Sequence, residues 1–283
     1  MKKFYSPLRY PGGKNELAKF IAKICERNDI NGHYVEPYAG GASVALHLLF
    51  EGYVSEITIN DKDRAIYAFW YSAVHRSEEL IKLIRATRVN ITTWKRQRAI
   101  LQNKENEPLL KLGFATFFLN RTNVSGILNG GPIGNIHQTG EYKLNCRFNK
   151  KELIKRIKKI AKHKSKIHVK HMDAMDLVRK IARRLENKKT IFYLDPPYYL
   201  KGESLYMNHY DKDDHVAVGK VVRSIKGVRW IVSYDDHAEI RKIYAGLRSK
   251  RHHLLHTARG PRVGKEILFF SSGLNVPRTI AAR

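Results

Sequence analysis

The chain is short of cysteine, of long apolar runs and of acid. Two cysteines in 283 residues, Cys25 and Cys146, exclude a disulfide framework and a cysteine-built zinc site. Kept reduced, they suit a cytosolic setting. The opening MKKFYSPLRYPGGK has two lysines but no apolar stretch behind them, unlike a secretory signal. Apolar runs such as LHLLF at 46–50 are far too short to span a bilayer, so no membrane partner is expected. Neither G-x-G-x-x-G nor G-x-x-x-x-G-K-[ST] occurs, which sets aside a dinucleotide fingerprint and a nucleoside triphosphate loop.

Acid is the shortage with the largest consequence. Lysine and arginine number 53 against 26 aspartate and glutamate, a formal charge of +27 before any of the 13 histidines protonate. Self-repulsion of that size opposes compaction and is usually tolerated because the partner is a polyanion. The charge is uneven. Residues 143–189 hold 18 lysines and arginines against Glu152, Asp173, Asp176 and Glu186, and residues 241–265 hold eight and no acid. A solvated face would mix signs, so phosphate contact is the better reading. The expectation is an intracellular protein that meets nucleic acid.

What is present is a real core. Hydrophobic residues make up 43% and aromatics 10%, which excludes a disordered chain. The length suits about two domains, or one core carrying an insertion. Short apolar runs read as strands at 33–36, 56–60, 166–171, 190–195, 229–233 and 266–271. None shows polar alternation, as expected for strands covered on both faces. Helical periodicity falls between them at 15–27, 42–50, 64–74, 150–162, 175–185 and 213–224. In the fourth, Leu153, Ile154, Ile157 and Ile160 form a stripe, with Asn149 and Glu152 as an Asn version of the capping box. This alternation predicts an α/β fold with an open, mostly parallel sheet. It lapses between Glu78 and Arg147, where helical stretches at 94–101 and 109–119 precede a Gly- and Asn-rich passage. That region reads as an inserted lobe.

The sharpest motif is Asp195-Pro196-Pro197-Tyr198, directly after the apolar run TIFYL. Ligands of open α/β sheets bind beyond the carboxyl ends of strands. Two prolines fix the backbone and remove two donors, leaving a carboxylate, a carbonyl and an aromatic face near one point. Such a set suits a planar ring bearing an amino group, although a Pro-rich turn with an Asp cap would look the same alone. Val35-Glu36-Pro37-Tyr38-Ala39-Gly40-Gly41 is a strand running into a Gly turn, where a ligand can approach the backbone. About 20 residues on, Asn60-Asp61-Lys62-Asp63 ends the next strand. An acid there can accept from both ribose hydroxyls, with Asp63 free to cap the following helix. A ribose without a pyrophosphate points to S-adenosylmethionine. Tyr10-Pro11-Gly12-Gly13-Lys14 adds an aromatic and an ammonium around a Gly turn, where the lysine could hold a carboxylate.

The order PGGK, EPYAGGAS, NDKD, FNKKEL, DPPY resembles the Dam-type, class α adenine-N6 DNA methyltransferases, from Leu8 to about Phe270. The resemblance implies the S-adenosylmethionine-dependent methyltransferase fold with an inserted, mainly helical DNA-recognition lobe at residues 64–148, and a catalytic domain at 1–63 and 149–283. It implies a methionine-binding region at Tyr10, Lys14, Glu36, Ala39 and Gly40, a ribose acid at Asp61, and an adenine-side acid at Asp173, ahead of Asp176. Asp195, Pro196, Pro197 and Tyr198 would hold the flipped target base, with Asp195 also bordering the cofactor. Asn120, Arg121, Asn123, Arg147 and the GGPIG turn would contact double-stranded DNA. A cognate restriction endonuclease is a partner the resemblance admits; no metal is required. Cytosine-N4 methylation is chemically close, and a non-catalytic DNA-binding protein with this fold is the third reading. Cytosine-C5 chemistry is disfavoured, since neither cysteine follows a proline.

Overall fold

Residues 4–9, 15–184, 189–199, 210–256 and 262–278 are described by a computed structural model. Among the described residues, seven strands form one sheet in the order β3-β2-β1-β4-β5-β7-β6. β1 (His33–Glu36), β2 (Glu56–Asn60), β3 (Ile167–Lys170), β4 (Thr190–Leu194) and β5 (Arg229–Asp235) are parallel. β7 (Arg262–Phe270) runs antiparallel to both β5 and β6 (Ser249–His256). The helices are α1 (Asn15–Arg27), α2 (Ser43–Phe50), α3 (Arg64–His75), α4 (Ser77–Ala86), α5 (Ile91–Gln102), α6 (Leu109–Thr122), α7 (Lys150–Lys162), α8 (Ala174–Arg184), α9 (Lys212–Ser224) and α10 (Ala238–Ile243).

The lack of polar alternation in the strands has its cause here. Along β4, Ile191 and Tyr193 enter one apolar cluster and Phe192 and Leu194 enter the other, on the opposite face of the sheet. β7 repeats the pattern, with Leu268 and Phe270 on the first face and Ile267 and Phe269 on the second. Truncating any of these buried aliphatics to alanine costs about 2–5 kcal/mol. The second face is covered by α8, α9 and α10.

The first face is covered by α1 and α2, and its cluster continues without a break through α3, α4, α6 and α7. Residues 64–148 therefore lie within the crossover from β2 to β3, whose ends are parallel neighbours (Ile57 opposite Ile167). α3 and α6 approach closely at Gly113. A Cβ there would sit 2.4 Å from the Ala68 carbonyl oxygen, so only glycine permits the contact. Asp63 caps α3 by accepting from the Ala65 amide at 2.8 Å. Asn149 caps α7 by accepting from the Glu152 amide, one half of the expected box.

α4, α10 and β6 are not among the helices and strands that the sequence pattern predicts. Beyond them, α6 extends to Thr122, which puts Asn120 and Arg121 in its last turn.

Candidate active site

The carboxyl ends of β3, β2, β1 and β4 lie side by side, and each carries an acid at or just beyond its end. These are Asp173, Asp61, Glu36 and Asp195. The chain order reverses between β1 and β4, the place where open α/β sheets leave a crevice.

The Gly turn after β1 is held from several sides. Asp61 accepts from the Gly40 amide at 3.0 Å and from the Asp63 amide at 2.9 Å. The Trp70 indole on α3 donates to the Gly40 carbonyl at 2.8 Å, and the Ala39 amide donates to the Asn60 carbonyl at 2.8 Å. Gly40 adopts φ 44, in the left-handed region that its missing Cβ permits. Burial, then the nearby Asp63 charge, push the Asp61 carboxyl up to about 7. An ionised Asp61 is thus costly in the free protein, and hydrogen-bond donors from a ligand would relieve it.

Asn60 was singled out only as the neighbour of Asp61, yet it joins two loops. Its Nδ2 donates to the Pro37 and Met172 carbonyls at 2.9 and 3.1 Å, and its Oδ1 accepts from the Met172 amide at 3.1 Å. Both amide hydrogens and the oxygen of this buried side chain are engaged, which ties the turns after β1 and β3 together. The signal was an apolar strand ending in Asn, which alone does not distinguish a staple from a cap.

Asp173 accepts from the Met175 amide at 2.9 Å at the start of α8, and pairs with Lys62 at 3.4 Å in a solvent-exposed contact. Asp176 faces outward and pairs with Arg179. Glu36 and Ala39 are buried. Asp195 Oδ1 accepts from Ser233 Oγ at 2.7 Å. Pro196 and Pro197 are buried, and Tyr198 is 6% exposed, with its phenol donating to Glu266. Tyr38 and Tyr210 meet at 3.1 Å through their hydroxyls. Tyr10 and Lys14 lie outside the described residues.

In the lobe the expected DNA contacts divide. Asn120 is buried; its Oδ1 accepts from the Arg9 amide and its Nδ2 donates to the Arg9 carbonyl, both at 2.7 Å. Asn123 is buried too, accepting from the Trp94 indole at 2.7 Å and donating to the Ile127 and Leu128 carbonyls. These two are corrections: side chains whose donors and acceptors are spent inside the fold have nothing left to offer a duplex. Arg121 and Arg147 come together, Arg121 Nε donating to the Arg147 carbonyl at 2.8 Å. Arg9 and Arg156, which sequence reading did not select, join them. Arg121 is pushed down to about 9, first by burial and then by the charges of Arg9, Arg156 and Arg147. Among the described residues no ion pair neutralises any of the four arginines.

A family model described as the D12 class N6 adenine-specific DNA methyltransferase matches residues 10–258. The chain belongs to this family. The enzyme transfers a methyl group from S-adenosylmethionine to the N6 amine of adenine in DNA. It is similar to the Type II methyltransferase M.MjaIII of Methanocaldococcus jannaschii, 22% identical over 266 residues that cover 86% of this chain and 89% of that one. Looser likenesses are to solved structures. An S-adenosylmethionine-dependent methyltransferase from Agrobacterium tumefaciens has a TM-score of 0.42 and 11% identity. That match covers 92% of this chain but only 62% of the Agrobacterium protein's length. The rRNA methyltransferase aviRa of Streptomyces viridochromogenes has a TM-score of 0.40 and 12% identity, covering 93% of this chain and 86% of that one.

The residues of the methyltransferase fit the cofactor. A half-buried carboxyl pushed up to about 7 beside a Gly turn gains from any hydrogen-bond donors a ligand brings, and ribose hydroxyls are of that kind. Among the described residues no group of three or more His, Cys, Asp or Glu could hold a metal ion, and no helix is long and apolar enough to cross a membrane.

Proposed function

We propose that Asp195 and a prolyl carbonyl of the Asp195–Tyr198 turn hold the amine of an adenine flipped out of double-stranded DNA. An exocyclic amine is a poor nucleophile because its lone pair is delocalised into the ring. Two acceptors for its two hydrogens favour pyramidal character and expose that lone pair. The bound cofactor supplies the sulfonium methyl. In-line attack then depends on positioning and electrostatics more than on a strong base. Pro196 and Pro197 stiffen the turn, and Tyr198 offers its ring beside the base. Unstacking the adenine costs a few kcal/mol, of which an aromatic contact returns about 1–3 kcal/mol.

On this reading Glu36, Ala39, Gly40, Asp61 and Asp173, with Tyr10 and Lys14, form the cofactor site, which Asp195 borders. Residues 64–148 form the lobe that reads the duplex, and residues 1–63 with 149–283 form the catalytic domain. Arg121 and Arg147, together with Arg9 and Arg156, meet phosphates, because a cluster of guanidiniums held mainly by carbonyls is what a polyanion neutralises. The order of cofactor turn, lobe and DPPY supports a Dam-type, class α enzyme. The likeness to a Type II methyltransferase supports a cognate restriction endonuclease as partner.

The observation that carries this reading is the position of Asp195, one residue past β4 and beside the end of β1, at the switch point of the sheet. The test is long-read sequencing of DNA from cells expressing the chain or its Asp195→Ala variant. We expect N6-methyladenine at one short motif with the wild type and none with the variant. DNA affinity should agree within about 1 kcal/mol, because phosphate contacts dominate it. An active Asp195→Ala enzyme removes the assigned role.

A further inference from the structure

The turn that carries Asp195 is held from behind by β5 and β7, two strands in which no motif was found. Ser233, in the middle of β5, is fully buried. Its Oγ donates to Asp195 Oδ1 at 2.7 Å and lies 2.9 Å from the Tyr193 hydroxyl on β4. A hydroxyl has one proton and a carboxylate oxygen only accepts, so the proton of Ser233 goes to Asp195 and the Tyr193 phenol donates to Ser233. The order Tyr193, Ser233, Asp195 is therefore fixed.

Two residues further along β5, Asp235 Oδ1 accepts from the Tyr199 amide at 2.9 Å. Glu266 on β7 stands opposite Asp235 in the antiparallel register and accepts from the Tyr198 phenol. Three polar groups of one strand pair thus grip Asp195, Tyr198 and Tyr199. Pro196 and Pro197, which have no amide hydrogen to be gripped, lie between.

We infer that Ser233, with Tyr193 behind it, is a positioning residue that fixes the rotamer of the Asp195 carboxylate toward the adenine amine, while Asp235 and Glu266 fix the turn around it. This rests on the reading of Asp195 given above. The donor is a neutral hydroxyl, so it orients the carboxylate without cancelling its charge. A lysine or arginine at 233 would orient it and compete with the amine for it. Transfer of a methyl group in line tolerates little misplacement: an error of 1 Å can cost on the order of a hundredfold in rate.

The test compares Ser233→Ala, Ser233→Thr and Tyr193→Phe with the wild type, using single-turnover methyl transfer, steady-state KM for DNA and for S-adenosylmethionine, and the fluorescence of 2-aminopurine at the target position. Ser233→Ala should lower the transfer rate about 10–100-fold, with both KM values and the 2-aminopurine signal unchanged. Base and cofactor still bind, and the carboxylate has lost the hydroxyl that aims it. Ser233→Thr keeps the hydroxyl and should recover most of the rate. Tyr193→Phe keeps the bond to Asp195 and should lose less than Ser233→Ala, again in rate and not in KM. A wild-type rate in Ser233→Ala overturns the proposal, as does a Ser233→Thr enzyme that melts like the wild type yet is as slow as the alanine variant. If the threonine variant unfolds, the Tyr193→Phe arm decides: loss of rate at constant KM supports the proposal, and a loss confined to KM overturns it. Asp195→Ala separates the two levels. An active Asp195→Ala enzyme ends the catalytic reading, whereas an inactive one beside a fully active Ser233→Ala enzyme ends the positioning role alone.

Discussion

Two clusters of like charge, opposite in sign, sit in this chain, and neutral groups hold much of each. At the carboxyl ends of the strands, Asp61, Asp173 and Asp195 accept from the Gly40, Asp63 and Met175 amides and the Ser233 hydroxyl, with an exposed Lys62 contact at Asp173. In the lobe junction, Arg9, Arg121 and Arg156 donate to neutral carbonyls of Asn123, Arg147 and Ser6. Neutral partners orient a charge without removing it. On the proposed function the first cluster receives the donors of a small ligand, and the second offers a positive field to a strand of phosphates. The chain's +27 charge conceals this division, because the few acids at the sheet end are outnumbered by 53 lysines and arginines.

The comparison breaks first at Asn120, which ties the two regions together. Its amide grips both backbone groups of Arg9, two residues before the PGGK motif. Asn120→Ala orphans the Arg9 amide and carbonyl and the bond to the Gly126 carbonyl. Each buried group left unpaired costs about 1–3 kcal/mol. The expected loss is about 2–4 kcal/mol of stability in chemical denaturation, on the assumption that water satisfies part of the damage. A variant that denatures like the wild type, with only DNA affinity reduced, would return Asn120 to the DNA surface where sequence reading had put it.

That reversal marks where the sequence was legible and where it was not. Strands buried on both faces have few ways to read otherwise, and β1, β2 and β4 lie where their apolar runs predict. β6 is an edge strand, SKRHHLLH, paired on one side only, and its charged residues hide it from an apolar criterion. α4 carries Leu80, Ile81 and Ile84 on its buried face but fell inside a stretch read as a lapse. The motifs set Glu36, Asp61 and Asp195 at the ends of apolar runs, and the structure has them at or one residue past the ends of β1, β2 and β4. Asn120 and Asn123 failed because a polar residue in a Gly- and Asn-rich passage looks outward in sequence. In space Asn120 follows Thr116 and Phe117 on an almost wholly buried helix. Ser233 and Glu266 carry no sequence signal: their importance comes from strand register alone.

The acidic side of the comparison is sharpened by pH. Asp61, pushed up to about 7, holds a proton in the fold that the unfolded chain gives up near pH 4. Between those values the folded state binds more protons, so the Asp61 contribution to stability falls as pH rises from about 4 to 7 and is level above. Affinity for S-adenosylmethionine should move the other way, rising through pH 7 as the carboxylate forms to accept ribose hydroxyls. Asp61→Asn should lose about 1–3 kcal/mol of cofactor affinity at pH 8 and flatten this dependence in calorimetry. Asp63→Asn, which still caps α3, removes the neighbouring charge and should move the midpoint below that of the wild type. A midpoint unmoved by either substitution would assign the titration to another group.

The basic side gives the smallest effect and the most pointed one. Arg121 is burdened by burial and by three like charges, so in the free protein its own charge is a cost. Arg121→Gln gives up one bond to the Arg147 carbonyl, worth about 1 kcal/mol, and relieves that repulsion. The two changes oppose each other, and at low salt the free variant should melt no lower than the wild type. On DNA only the loss remains. One phosphate contact fewer lowers the slope of log affinity against log salt by about 0.9, and it should do so equally on specific and unrelated duplexes. A variant that weakens only the specific duplex would make Arg121 a reader of bases instead. A variant that melts well below the wild type would mean that the arginines are held by the fold itself, with no need of a phosphate to balance them.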